Sequence, residues 1–153
     1  MRDRAKTLYL MQGVPGSGKS SIARMIQAHH NEDDLDVCVT VSTDDFRLDE
    51  DGSYIFDAKD NGRFHRLAQQ RCAQEMTVGR YAIIIDNTNI QEWQARPYLV
   101  LADIFGYVVQ VVSVDCGLKL AIERQGERDG LGDRAVPPFV ISDMYGKMEM
   151  LLT

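Results

Sequence analysis

The stretch Gly13-Val14-Pro15-Gly16-Ser17-Gly18-Lys19-Ser20 constrains this 153-residue chain more than any other feature. It satisfies G-x-x-x-x-G-K-[ST], the pattern of a phosphate-binding P-loop (Walker A). Such a loop needs a strand before it and a helix after it, and the flanks offer both. Thr7-Leu8-Tyr9-Leu10-Met11 is an apolar run, and Ile22, Met25 and Ile26 recur at helical spacing. The glycines let backbone N–H groups turn inward around a phosphate, and the helix N-terminus adds its positive dipole end. Lys19 is then placed to reach β- and γ-phosphate oxygens, and the Ser20 hydroxyl to ligate Mg²⁺. These residues point to a nucleoside triphosphate as donor and leave the acceptor open.

Strand and helix signals alternate along the rest of the chain. His29 falls near the expected end of the first helix, around Asn31, and reads as a carbonyl cap. After an acidic connection, Val37–Ser42 is a continuous β-rich run of the kind buried on both faces. It ends in Thr43-Asp44-Asp45-Phe46-Arg47. Ligands of open α/β sheets sit at the carboxyl ends of strands, so this is where an acceptor is expected. A carboxylate here can take the proton of an attacking hydroxyl, and Arg47 can hold an acceptor phosphate. The same Asp pair also suits a helix N-cap, and the two uses are compatible. Residues 49–61 read as a surface excursion, with Tyr54 and Phe56 anchoring it to the core.

Phe64, Leu67, Ala68, Cys72 and Met76 form the apolar stripe of the next helix, which Gly79 closes. Arg63, His65, Arg66 and Arg71 lie on or near it, as a solvated face or as the border of an acceptor channel. Arg80–Asp86 is a buried strand ending in an acid, the Walker B pattern that brings a carboxylate near Mg²⁺. Asn89 and Glu92 have capping-box spacing for a helix with Tyr98, Leu101, Ala102 and Phe105 inward. Pro97 kinks that helix or marks its first turn. Trp93 lies off its stripe. Tyr107–Val114 is a valine-dense strand, followed by a helix that turns polar after Ile122. Arg124 and Arg128, four apart, share one face of it. They suit a lid over transferring phosphate, with Gly126, Gly130 and Gly132 giving it freedom, or else exposed ion pairs with Glu123 and Glu127. Pro137-Pro138 opens a last helix, with Val140, Ile141, Met144 and Met148 expected against the sheet. The pattern predicts an α/β fold of three layers, a parallel sheet of about four to five strands flanked by helices. No repeat or linker divides it, so residues 1–153 read as a single P-loop kinase domain.

Composition narrows the setting. No apolar run is long enough to span a bilayer, Met1-Arg2-Asp3-Arg4 has no signal-peptide pattern, and three separated cysteines read as free thiols. A cytoplasmic protein with no membrane partner is expected; oligomeric state is left open. A formal charge of −6 argues against a broad nucleic-acid footprint but not against a grip on a strand end by a few arginines.

Gly13-x-Pro15-Gly16-Ser17-Gly18-Lys19-Ser20, Asp44-Asp45-Phe46-Arg47, the Thr88-Asn89 turn and Arg124-x-x-x-Arg128, in this order, resemble the polynucleotide 5′-hydroxyl kinase family, in particular the kinase domain of phage polynucleotide kinase-phosphatase. Ala135-Val136-Pro137, Met144-Tyr145 and Met148 continue the likeness. The resemblance implies transfer of the γ-phosphate of ATP, with Mg²⁺, to the 5′-hydroxyl end of DNA or RNA. It makes Asp44 the general base, with Lys19, Arg124 and Arg128 catalytic. Gly13, Pro15, Gly16, Ser17, Gly18, Lys19, Ser20, Ser21, Arg124 and Val136 would bind the nucleotide. Arg47, Asp86, Asn87 and Thr88 would bind the acceptor, and Ser20 and Asp86 would face the metal. Where the phage kinase reads Ser-Asp-Thr-Asn, this chain reads Asp86-Asn87-Thr88-Asn89, with the acid one residue earlier. The alternatives are a small-molecule or nucleoside kinase, and a nucleotide-binding regulatory module with little turnover.

Overall fold

A computed structural model describes residues 5–32, 37–46, 61–130 and 136–148; the side chains of residues 61 and 128–130 lie outside that description. Strand β1 (Thr7–Gln12) leads through the P-loop into α1 (Lys19–His30). Strand β2 (Cys38–Val41) runs into a 3-10 turn (Thr43–Phe46), and α2 (Asn61–Val78) precedes β3 (Ala82–Ile85). Then come α3 (Glu92–Phe105), β4 (Val108–Ser113), α4 (Leu118–Gly130) and α5 (Pro138–Gly146). Among the described residues the four strands form one parallel sheet in the order β2-β3-β1-β4.

Alternation along the strands separates the layers. Leu8, Leu10, Val41, Ile83 and Ile85 share a cluster with Ala68, Cys72 and Met76 of α2 and with Ala95, Tyr98 and Ala102 of α3. Met11, Cys38, Ala82 and Ile84 face the other way, onto Ile22, Ala23 and Ile26 of α1. Both faces are therefore covered, as the crossovers of a parallel sheet demand. Register sets where the chemistry can lie. Leu10 and Val41 both pair with Ile85, where β2 and β3 end, and β1 runs two residues further to Gln12, so the loops after all three gather at one edge of the sheet.

Several local expectations give way to tertiary context. The segment Val37–Ser42 forms an edge strand rather than a doubly buried one, with Val39 and Thr40 half-buried, and the valine-dense β4 is the other edge, with Val108 56% exposed. Apolar content cannot tell an edge from a centre. Met25, Phe105 and Leu120 are exposed, while Ala23, Ala95 and Ala121 take the inward positions. The capping box of α3 is Gln91 with Gln94, not Asn89 with Glu92. Asn89 instead has φ 44° and donates from Nδ2 to the Met11 carbonyl at 2.9 Å, which places it in a turn. Pro97 lies inside a helix that already began at Glu92. His29 is exposed, 3.8 Å from Glu32, and its neighbour His30 makes the inward contact, at 2.8 Å from the Tyr9 hydroxyl. Helix α5 packs in a third cluster, Ile141 with Val14, Ile90, Ala121 and Val136, so it docks on α4 and two loops rather than on the sheet. Arg47, Gly132, Ala135 and residues 49–60 lie outside the described residues.

Candidate active site at the carboxyl edge of the sheet

The P-loop is shaped by contacts that only glycine permits. A Cβ on Gly13 would lie 2.5 Å from Ser17 Oγ and 2.7 Å from the Val114 carbonyl oxygen. Gly16 has φ +84°, and a Cβ there would meet the Ala121 carbonyl oxygen at 2.3 Å. The loop is thus clamped between the end of β4 and the start of α4. Gly18 precedes α1 with φ 99°, no side chain caps that helix, and no acid lies in its first turn. Its leading N–H groups remain available to an anion.

The acid after β3 completes the donor side. Ser20 Oγ donates to Asp86 Oδ2 at 2.8 Å, and Lys19 Nζ lies 3.8 Å from Asp86 Oδ1. Both charged side chains are largely buried, at 14% and 12% exposure. Asp86 Oδ1 is buried and accepts no hydrogen bond among the described residues, with the Lys19 ammonium at 3.8 Å as its counter-charge. Two hard oxygens from Ser20 and Asp86 fit Mg²⁺, which keeps waters and phosphate oxygens as its other ligands.

On the acceptor side, Ser42 and the 3-10 turn present Asp44 at the end of β2. Asp45 takes the local capping role, its Oδ2 accepting from the Ser42 N–H at 3.1 Å. Asp44 is half-buried, and its own N–H donates to Ser42 Oγ at 3.1 Å. Asp45 therefore caps the turn, and the Asp44 carboxylate is not used for that bond. Asn87 ties this turn to the strand beside it. It is 5% exposed; its Oδ1 accepts from the Thr43 N–H at 2.8 Å, and its Nδ2 donates to the Tyr98 hydroxyl at 3.3 Å. Burial, with Cys72 adding to it, pushes the Tyr98 phenol well above its usual value, so it stays a neutral hydroxyl. Both ends of the Asn87 amide, expected at the acceptor, are engaged in bracing the turn. Thr88 contributes its carbonyl, which accepts from the Gly13 N–H at 3.0 Å and couples the post-β3 turn to the P-loop.

Helix α4 meets the P-loop from the other side. Arg124 Nη1 donates to the carbonyls of Gly16 at 3.3 Å and Ser17 at 3.2 Å, so this arginine is already at the loop. The exposed ion pair with Glu123 or Glu127 is not its role here. Arg128 lies one turn further along the same helix. Val136, expected at the nucleotide, is a core residue, 8% exposed, and its N–H is held at 2.8 Å by Oε1 of the buried Gln125. Ser21 is exposed, with its Oγ accepting from Arg24 at 3.2 Å. Sequence reading missed Cys116, whose thiol donates to the Gly16 carbonyl at 3.5 Å, and the buried stapling amides of Asn89 and Gln125. A buried amide has no periodicity to betray it. Among the described residues, no helix is long and apolar enough to cross a membrane.

The signature of the AAA domain family matches residues 8–151. The chain belongs to this family. It is 40% identical to human NEDD4-binding protein 2 over 102 residues, which cover 67% of this chain and 5% of that protein. Its fold is similar to a chain of the Pnkp1/Rnl/Hen1 RNA repair complex, with a TM-score of 0.74, 21% identity, and coverage of 95% of this chain and 45% of that one. A gluconokinase from Sinorhizobium meliloti is also similar, with a TM-score of 0.60, 17% identity, and coverage of 96% and 77%. The chain therefore spans a small part of the curated relative and less than half of the repair-complex chain. The chain carries a P-loop on a fold that it shares with a repair-complex chain and a sugar kinase.

Proposed function

We propose that this domain is an ATP-dependent polynucleotide 5′-hydroxyl kinase. One observation carries the reading beyond nucleotide binding: the Asn87 amide braces the Thr43–Asp44 turn against the strand whose last acid meets Lys19 and Ser20. A nucleotide binder has no need of a carboxylate held beside its phosphate site.

In this mechanism the P-loop N–H groups and Lys19 hold the β- and γ-phosphates, and Arg124 adds charge as it builds on the transferring group. Ser20 and Asp86 would hold Mg²⁺, which supplies charge neutralisation at the phosphates when bound. Asp44 accepts the proton of the 5′-hydroxyl as that oxygen bonds to the γ-phosphorus, and the bond to the β-γ bridging oxygen breaks to release ADP. Arg47 and Arg128 complete the acceptor and donor ends by their positions in the motif. In-line transfer relies on positioning and electrostatics. A small-molecule kinase is the second reading, favoured by the formal charge of −6.

The test compares Lys19→Ala and Asp44→Asn, using labelled transfer from ATP to a 5′-hydroxyl oligonucleotide. Lys19→Ala is expected to lose on the order of 3–4 kcal/mol of transition-state stabilisation. Asp44→Asn is expected to lower kcat about a hundredfold with both KM values spared. A folded Asp44→Asn protein with wild-type turnover would remove Asp44 as the base.

A further inference from the structure

Away from the P-loop, a groove of about 980 Å³ runs between α2 and α3. Its floor is apolar, from Ala73, Pro97, Val100 and Leu101. Both helices start at the carboxyl edge of the sheet, since α2 precedes β3 and α3 follows it. The upper end of the groove therefore opens at the edge that carries Asp44 and Asp86. Arg66, Trp93 and Arg96 line it there.

Trp93 is the chain's single tryptophan, and it is 59% exposed. Large aromatics normally bury most of their surface. This one is held in place instead. Its indole N–H donates to Gln91 Oε1 at 3.3 Å, and the His65 ring lies edge-on at 6.4 Å between centroids. A held, exposed aromatic ring beside cations is the arrangement on which unpaired bases stack. The charge agrees. Glu92 is met by Arg96 at 2.6 Å, so Arg66 leaves the lining net positive on a chain of net charge −6.

We infer that the α2–α3 groove carries the acceptor strand beyond its terminal nucleotide, with a base stacked on Trp93 and the backbone held by Arg66. This rests on the polynucleotide reading above and deepens it. The groove would make a strand a better acceptor than a mononucleotide without a broad basic face. It also accounts for the placement of an arginine and an aromatic that the phosphate chemistry does not use.

Two measurements test it. Because Trp93 is the only tryptophan, its emission reports the groove directly. Titration with a single-stranded 5′-hydroxyl octanucleotide, without ATP, is expected to quench it, and a 3′-mononucleotide to leave it nearly unchanged. Unaltered emission at a concentration of octanucleotide that saturates turnover overturns the proposal, and is the result expected if the groove serves a protein partner. In kinetics, the preference in kcat/KM for octanucleotide over 3′-mononucleotide is expected to fall roughly fivefold or more in Trp93→Ala. Arg66→Glu, which keeps the fluorophore, is expected to weaken the quench and lower the same ratio. A ratio unchanged in both variants overturns the groove while leaving the kinase reading intact. Quenching by octanucleotide without transfer to any 5′-hydroxyl end would sink the kinase reading and leave the groove standing.

Discussion

Replacing Asn87 by alanine separates a brace from an acceptor contact. The substitution removes the acceptor of the Thr43 N–H and the donor to the Tyr98 hydroxyl, at 2.8 Å and 3.3 Å. Thr43 is 7% exposed and Tyr98 fully buried, so water does not readily replace the lost partner. A buried polar group left unsatisfied costs about 1–3 kcal/mol, so two such groups cost roughly 2–6 kcal/mol. That is a large share of a total stability of about 5–15 kcal/mol. Urea unfolding would show it as a lower midpoint at unchanged m. Phosphoryl transfer, measured where the variant is still folded, is expected to lose kcat through the displaced Asp44 turn, with KM for ATP little altered. Asn87→Asp is milder in geometry, since a carboxylate can still accept from Thr43 and Tyr98 can donate to it, but it buries a charge. If Asn87→Ala keeps its stability within about 0.5 kcal/mol and raises only the acceptor KM, the side chain touches the acceptor and the bracing argument is wrong.

Arg124→Ala is expected to lower kcat roughly a hundredfold with little rescue by lysine, because a guanidinium at the P-loop stabilises transition-state charge as a planar fork; kinetics unchanged, with stability moved by less than about 1 kcal/mol, would return it to the surface. Glu75 predicts an acid limb of stability. Burial raises its carboxyl, but hydrogen bonds and charge from Arg80 and Arg71 outweigh this and hold it below the ordinary value. Its folded value lies under its unfolded one, so its contribution is present above the ordinary Glu range and is lost as pH falls through the folded value. Glu75→Gln should cost about 1.5–3 kcal/mol near neutral pH and progressively less in acid, as followed by denaturation across pH; a cost independent of pH would contradict the assignment.

Much of this architecture is written in local pattern. The Gly13–Ser20 spacing, the apolar run ending at Asp86 and the stripe from Phe64 to Met76 each carry their own periodicity, and each folds as read. The meeting of Ser20 with Asp86, 66 residues apart, was legible only because two motifs of one chemistry must converge. What the sequence hid depends on neighbours from elsewhere in the chain. Asn89-x-x-Glu92 and Gln91-x-x-Gln94 have the same capping spacing, and the left-handed turn at Asn89 decides between them. Asn87 reads as part of an acceptor turn until Thr43 and Tyr98 are seen on either side of it. Trp93 has no meaning from its own helix, since the groove it lines is half made of α2.

On the proposed reading a polynucleotide end, and not a small molecule, receives the phosphate. The most direct measurement offers γ-labelled ATP to the domain with 5′-hydroxyl oligonucleotides of DNA and RNA, 3′-nucleotides, free nucleosides and a sugar acid in parallel. The predicted result is label on the 5′ end of the oligonucleotides, weaker labelling of 3′-nucleotides, and none of free nucleosides or sugar acid. Labelling of a bare nucleoside or sugar acid as efficient as that of an oligonucleotide end would contradict it.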